Sequence, residues 1–489
     1  MDTDDTRHSI FDPKRWGLPE NAVPEVGERL HSFWARFRSC FRTKTHDTSP
    51  SAWLYLRGLL TMDTKRNFVN IARRVIHPHN DGQGLQQFRS DSPWAAQGVF
   101  DQIQAEIRQR PELAGGLLTV DESGDERAGD QSAGAARQYL GRKGTVEMGQ
   151  VGVALGYYAQ GIWAMVDARL YLPEVWFDDD HATLRKRWHI PKETIFQTKP
   201  ELALDMLRHA RANGLPFRVV GCDSIYGQDF DFRAGVAAEG LIYMADITPR
   251  MYVYLSEPVI GVPPPPAPGA GRPASKPRVL NGCVPIRVRD LPGHPAFSLR
   301  SMPIRQTERG ELRYECAAQR VWTVKGAQIR AEWLLLRREP DGSFSYTLSN
   351  APADTALEAL ALWRCYRYFA ERIFEDAKSE GGWDELVARK YRAWEHHTAL
   401  DAMALWFVAE TRLDWAQRQA RDPDLVRELE VAVLPALSMA NVRALLQAAM
   451  PLSQMTPQDA IDLVVTHLVH RSQSTASRLR TQHNERGPT

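Results

Sequence analysis

The chain has 489 residues, of which 43% are hydrophobic and 25% charged, and its formal net charge is +1. That length accommodates roughly two to four domains with ample material for a core, and the composition is that of a soluble globular protein. A near-neutral total argues against a small, purely electrostatic nucleic-acid binder, but it leaves room for local basic patches.

Five cysteines (Cys40, Cys222, Cys283, Cys316, Cys365) are scattered without a CxxC pair. They suggest neither a disulfide framework nor a zinc site, and they fit a reducing compartment such as the cytoplasm. The opening MDTDDTRHSI is acidic and polar, unlike a secretory signal. No apolar run reaches the ~18 residues of a membrane span.

Residues 1–112 read as a helical N-terminal domain expected to bind DNA and to dimerise. Glu25–Phe41 has helical spacing, and Trp53–Leu60 resembles a buried helix that continues past Phe68. Ser92-Pro93 signals a further helix start, with Ala95–Arg108 behind it. The stretch Lys14–Lys44 interleaves basic residues, Arg36 and Arg38 among them, with Trp16, Phe33, Trp34, Phe37 and Phe41. Either an amphipathic helix with inward aromatics or a DNA-contacting surface produces that pattern. The tail is also basic, with Arg471, Arg478, Arg480 and Arg486.

From residue 113 to about 250 the pattern changes to strands. Gly116–Val120, Glu147–Tyr158 and Gly161–Leu172 are apolar runs with glycine-rich joints that suit hairpins. Thr198 then caps a helix through Ala212, with Glu201 able to close a capping box and Asn213-Gly214 as the stop. Phe217–Cys222 is a strand, Phe230–Ala238 a helix and Leu241–Ile247 a fifth strand. The order β-β-β-α-β-α-β is the RNase H-like order: an α/β fold with a mixed five-stranded sheet. Residues 251–355 read as a β-rich insertion. It opens with the Pro-rich loop 261–277 and continues with short strands that include a hairpin at Asp341-Gly342. Residues 356–400 return to helix and complete the core, and 401–489 form a helical C-terminal region.

Three acids carry the candidate chemistry. Asp121 follows the first apolar run, Asp223 follows Phe217–Cys222, and Glu371 lies in the helical segment Tyr366–Lys378. Two strand-end aspartates and a helix-borne glutamate provide the oxygen ligands that two divalent ions need for phosphoryl transfer. Arg364, Arg367, Glu371 and Lys378 fall on one helical face, which suits a site holding both metal and phosphate. Ordinary i,i+4 surface pairs are the competing reading of that helix. Lys199, at a helix N-terminus, is a further candidate for phosphate contact.

Other residues compete less well. Asp178, Asp179 and Asp180 suit a solvated loop, and Asp229 and Asp231 suit helix N-terminal charges. Glu122 alternates away from Asp121, and the adjacent pair His396-His397 diverges on a helix and reads as structural. Arg137-Gln138-Tyr139 and Tyr226-Gly227 stay open between packing and binding.

The segments TVDESGDERAGDQSAGAARQYLG, GQVGVALGYYAQG, DARLYLPEVWFDDD, TKPELALDML, VVGCDSIYGQDFDFR, WLLLRRE, ERIFEDAKSE and VLPALSMANVRALL run from about residue 119 to 447. With them the chain resembles the DDE transposases of bacterial insertion sequences, most closely the insertion-sequence 701 family. The resemblance implies an RNase H-like catalytic core with a β-rich insertion. It also implies Mg²⁺ (or Mn²⁺), two ions per site, and catalytic acids at Asp121, Asp223 and Glu371. Its partners would be double-stranded DNA, both element ends with terminal inverted repeats and target, and a second copy of the chain, in a nucleoid-associated setting without a membrane. The family's Y-x2-R-x3-E-x6-K signature is matched by Arg367, Glu371 and Lys378, while Arg364 stands at the tyrosine position. Asp121-Glu122-Ser123-Gly124 stands where Asp-Asp-Thr or Asp-Glu-Thr-Gly is common. Two other functions remain: a transposase-derived DNA-binding protein without catalysis, which the intact acids oppose, and a carboxylate-pair glycosidase, which predicts no basic helix face.

Overall fold

A computed structural model describes residues 9–485 apart from 64, 142, 265–273, 309, 387 and 453–455. The middle of the Pro-rich loop 261–277 and the tail residue Arg486 lie outside the described residues. Ten strands share one mixed sheet: β1 (Gly116–Glu126), β2 (Ala136–Leu140), β3 (Thr145–Ala159), β4 (Ile162–Leu170), β5 (Phe217–Cys222), β6 (Ile242–Ile247), β7 (Arg300–Thr307), β8 (Gly310–Lys325), β9 (Gln328–Arg338) and β10 (Phe344–Ser349). The order across the sheet is β7-β8-β9-β10-β6-β5-β1-β3, and both β2 and β4 pair with β3. Only β1·β5 and β5·β6 are parallel.

The strands of the insertion therefore do not form a body of their own. β10 adds antiparallel to β6 through Tyr346↔Ile247 and Leu348↔Ala245, so the insertion continues the sheet. One anchor at this seam is Arg233, which lies on the helix Phe230–Ala238 and donates from Nε to Glu332 Oε1 on β9 at 2.9 Å. Both side chains are fully buried. The Tyr243 and Thr323 hydroxyls also donate to Glu332, and Arg233 Nη1 donates to the Gly227 carbonyl at 2.6 Å. The buried charges are thus hydrogen-bonded on most sides, the condition under which such a pair is tolerated.

Helices form the remaining mass: α1 (Ala22–Phe37), α2 (Ser49–Thr61), α3 (Gln83–Asp91), α4 (Ala96–Arg108), α5 (Lys199–Ala212), α6 (Phe230–Ala238), α7 (Leu357–Cys365), α8 (Tyr368–Asp376), α9 (Tyr391–Arg418), α10 (Met439–Ala449) and α11 (Pro457–Glu485). The capping box at Thr198 and Glu201 that starts α5 is present. The 28-residue α9 is the spine, packed on β4 and against α2, α3 and α4. It runs through residue 400, so the boundary expected there falls inside one helix, and the N-terminal helices share its core.

Several local expectations differ. α2 stops at Thr61 because Met62 is extended and the buried Arg66 turns back to donate to the Met62 carbonyl at 3.0 Å. Ser92 ends α3, and the next helix starts at Ala96. Residues Ala136–Leu140 make a strand that local pattern left undecided, and its register with β3 places Gln138 opposite Glu147. Gln138 is partly buried and bonds the Gly134 and Gly149 carbonyls, while Tyr139 is exposed. The segment Tyr366–Lys378 is not one helix: α7 and α8 break at Tyr366-Arg367, and Lys378 lies in a π-helical turn ended by Gly382 at φ +85°.

Removing one member of the Arg233–Glu332 pair leaves an uncompensated buried charge. Glu332→Ala should lower unfolding stability by about 3–5 kcal/mol in urea titrations. Arg233→Met combined with Glu332→Leu should lose clearly less than the two single changes added together.

Candidate active site

The parallel ladder between β1 and β5 ends at Val120↔Cys222, and that between β5 and β6 at Cys222↔Ala245. The next residue on each strand is an aspartate: Asp121, Asp223 and Asp246. Three carboxylates therefore stand in a row across adjacent strands spaced about 4.8 Å apart. Asp121 is not at the end of its strand. β1 continues to Glu126 on its antiparallel pairing with β3, with Asp121 opposite Ala154. Asp223 does leave β5, and its Oδ1 accepts from the Ile225 amide at 2.9 Å.

α8 closes over Asp121. Its Ala370, Ile373 and Phe374 meet Thr119, Asp121, Ala154 and Gly156. The small residues of β3 permit this approach. A Cβ on Gly156 would lie 2.3 Å from Ile373 Cδ1, and one on Gly152 would lie 2.4 Å from the Trp394 ring of α9. The GQVGVALG run thus clears the sheet face so that the glutamate-bearing helix can sit on it.

Arg367 ties the acids together. Its Nη1 is 3.6 Å from Asp121 Oδ2, its Nε 3.2 Å from Asp246 Oδ2, and its Nη2 3.5 Å from Glu371 Oε1. Glu371 lies in the first turn of α8 and is 61% exposed, so its carboxylate opens to solvent. Asp246 is additionally held by Arg364 Nε at 2.7 Å and by the Thr347 hydroxyl at 2.7 Å. Sequence reading passed over Asp246; the strand-end position it shares with Asp121 and Asp223 was the available signal.

Burial pushes the Asp121 carboxyl up to about 7, and repulsion from Asp223 adds to it while Arg367 opposes it. Asp223 is raised by burial and then by the charge of Glu122. Glu122, expected to point elsewhere, is thus part of the same electrostatic group. It pairs with Lys199 Nζ at 2.9 Å and accepts from the Tyr226 hydroxyl at 3.4 Å.

The other candidate cations are largely engaged. Arg364 is buried against Asp246 and the Thr347 hydroxyl, so it cannot present itself to a phosphate from this position. Arg36 pairs with Glu106 at 2.7 Å and Glu410 at 2.6 Å, joining α1 to α4 and α9. Lys199 is bound to Glu122, and Lys378 Nζ lies 3.7 Å from Asp125. Arg38, 52% exposed, is the most open of the six. Arg364 and Arg367 share Asp246 across the turn at Tyr366-Arg367, while Lys378 lies beyond α8 in the π-helical turn.

Competing residues have plain structural roles. Asp229 caps α6 through the Phe232 amide, Asp231 pairs with Lys325, and Asp178–Asp180 sit at 3₁₀ turns. His396 bonds the Arg89 and Trp94 carbonyls, and His397 bonds the Gly382 carbonyl and Tyr55. Burial lowers them to about 4 and about 3, and a neutral His396 ring donates to only one of its two carbonyl neighbours.

Carboxylate oxygens held close together at raised pKa are the donors that hard divalent cations take, so Asp121 and Asp223 fit such an ion. Among the described residues no three His, Cys, Asp or Glu side chains converge tightly enough to hold a metal as they stand. Glu371 is connected to Asp121 through the Arg367 guanidinium.

Residues 36–309 match the family described as DDE superfamily endonuclease. The chain is also similar to a probable transposase for insertion sequence element IS701 from Microchaete diplosiphon, with 26% identity over 207 residues. That alignment covers 41% of this chain and 50% of the relative, so the chain spans about half the relative's length.

The folded Asp121 carboxyl, at about 7, keeps its proton where the unfolded chain, near ~3.9, has lost it. Stability should therefore fall as pH rises from about 4 to about 7 in chelator. Asp121→Asn should flatten part of that decline and raise Tm at pH 8 relative to the unsubstituted chain. Thermal melts in EDTA across this range provide the check; parallel curves for both proteins would refute the burial assigned to Asp121.

Proposed function

Since this chain belongs to the DDE superfamily of endonucleases, we propose that it is a DNA transposase that binds element ends, cleaves them and transfers the strands to target DNA. The observation that carries this reading is the placement of Asp121 beside Asp223 at one register level, with Arg367 linking Asp121 to Glu371 on the helix above. The sub-order β4-β3-β1-β5-β6, with α5 and α6 between its later strands, supports an RNase H-like five-stranded core.

In this reading Asp121, Asp223 and Glu371 would hold two Mg²⁺ or Mn²⁺ ions. The chemistry supplied by such ions would be activation of a water or 3′-hydroxyl and stabilisation of a leaving oxygen. The chain's own residues set the frame. The paired strands fix Asp121 and Asp223, and α8 presents Glu371 from the solvent side. Arg367, with Nη1 and Nη2 on Asp121 and Glu371, is placed to neutralise charge that develops on a phosphoryl group. Lys199 and Lys378 are each one carboxylate away from the row, and they contact DNA phosphate where it displaces Glu122 or Asp125. The partners are double-stranded DNA and, because two ends must be joined, a second copy of the chain on that DNA. The setting is the bacterial cytoplasm at the nucleoid; no described helix is long and apolar enough to cross a membrane.

A transposase-derived DNA binder without catalysis is the other reading. The retained acids and the raised Asp121 and Asp223 carboxyls weigh against it. The test is cleavage of a duplex carrying an element end with Mg²⁺ or Mn²⁺. Asp121→Asn, Asp223→Asn and Glu371→Gln should each reduce cleavage by at least about 10³-fold while leaving DNA retention in a gel shift within a few-fold. Undiminished cleavage by Asp121→Asn would remove the site assignment. Absence of cleavage by the unsubstituted protein on its own element ends would favour the binder.

A further inference from the structure

The cations nearest the acidic row are already paired with acids: Arg364 and Arg367 meet Asp246, Lys199 meets Glu122 and Lys378 meets Asp125. A DNA strand that approaches the exposed Glu371 needs positive charge not already held by a carboxylate. Arg305 supplies it. It lies on β7, the outermost strand of the insertion, yet its guanidinium carbon is 5.5 Å from the Tyr368 ring centroid and 5.8 Å from that of Phe369. Both rings belong to the first turn of α8. Arg305 is exposed, and among the described residues no carboxylate pairs with it.

The fold brings this edge strand to the glutamate-bearing helix by design of its path. α7 packs on β7, so the far edge of the sheet folds back over α7 toward α8. The ladder with β8 slips by one residue between Pro303 and Arg305, a β-bulge. Bulges bend a strand and re-aim a side chain. Ile304, inside the bulge, stays buried in one cluster with Leu357 and Leu360 of α7, while Arg305 turns outward.

The rings beneath Arg305 are fixed. Phe369 is buried and stacks on Tyr158 of β3 with centroids 3.7 Å apart, and Tyr366 lies 4.9 Å from Tyr158. Burial pushes the Tyr158 and Tyr366 hydroxyls up, and the charge of Arg305 opposes that at both. Tyr368 differs from these rings. It is 45% exposed and stands three residues before Glu371, on the same side of α8. Edge strands also carry prolines and charges to avoid pairing with another chain. That role asks only that a charge stand in water, whereas Arg305 is laid on rings. A guanidinium on an aromatic face keeps the N–H donors at its rim free, the arrangement that grips a phosphate.

We propose that Arg305, seated on Tyr368 and Phe369, binds a backbone phosphate of the DNA strand that passes Glu371, about one or two nucleotides from the bond that is cut. The inference rests on the transposase reading. It gives the β-rich insertion a part at the site, as the source of a cation that the acidic row does not hold.

The experiment uses the full chain and a duplex carrying an element end. Binding is followed by fluorescence anisotropy in Ca²⁺ over a range of salt, and cleavage in Mg²⁺. Arg305→Gln should melt as the unsubstituted protein does, weaken binding about tenfold and reduce the salt slope of log affinity by about 1. The loss should appear in KM, with kcat nearly kept. Arg305→Lys should recover the slope. Arg305→Met, which packs on the rings without charge, should not. A neutral methylphosphonate placed in turn at each phosphate flanking the scissile one should weaken the unsubstituted protein at one position where Arg305→Gln is indifferent. Unchanged affinity and slope in Arg305→Gln, full recovery by Arg305→Met, or a scan with no such position would each overturn the proposal and leave the transposase reading standing. An unsubstituted protein that binds its element ends without cutting them would sink that reading instead, and the salt slopes would still decide the role of Arg305.

Discussion

The site depends on one guanidinium. Asp121, Asp246 and Glu371 come from two strands and a helix far apart in the chain, and Arg367 lies within 3.6 Å of all three. The carboxylate row is otherwise a concentration of negative charge in a partly desolvated place. Burial and mutual repulsion have already pushed Asp121 up to about 7. Arg367 and Arg364 on one side and Lys199 on the other offset that repulsion without taking the acids out of reach. Arginine suits the central task because its planar fork can address several carboxylates at once. The geometry thus holds three acids close at a tolerable cost.

Small residues perform the complementary task on the opposing surface. Thr119 and Gly156 sit opposite one another in the β1·β3 ladder, and Gly152 lies four residues before Gly156 on β3. Their lack of bulk lets Ile373 of α8 and Trp394 of α9 rest directly on the sheet. α9 in turn is packed against the N-terminal helices, where His396 stacks on Trp94 with ring centroids 3.7 Å apart. The height of Glu371 above Asp121 is therefore set by contacts that reach both ends of the chain. Arg66 from the N-terminal region donates to the Ser379 carbonyl, and Arg443 from α10 donates to Glu380, both just past α8.

Much of this was legible in the sequence where the signal was local. The capping box at Thr198, the apolar runs before Asp121 and Asp223, and the helix around Glu371 are short-range patterns, and the structure contains each element. What escaped depended on partners distant in the chain. The strand Ala136–Leu140 reads as polar because it is an edge strand with alternate side chains in water, and only its pairing with β3 defines it. Asp246 lies inside the run Leu241–Ile247, and only the parallel register aligns it with Asp223. Arg36 and Arg364 were expected to contact DNA, yet each meets carboxylates brought in from elsewhere. Fold and acids follow from periodicity; the fate of the cations follows from tertiary packing, which periodicity does not encode.

The continuity of the sheet from core into insertion has a geometric corollary. From β7 to β3 the strands are joined edge to edge by backbone hydrogen bonds, with no loop hinge anywhere across the row. At about 4.8 Å per strand, the eight strands from β7 to β3 make a plank more than about 30 Å wide. From the hairpin at Lys325–Gln328 the backbone ladder runs through β8, β9 and β10 to β6, where Thr347 lies opposite Asp246. Asp246 is thus bonded into the same continuous sheet as that outer hairpin.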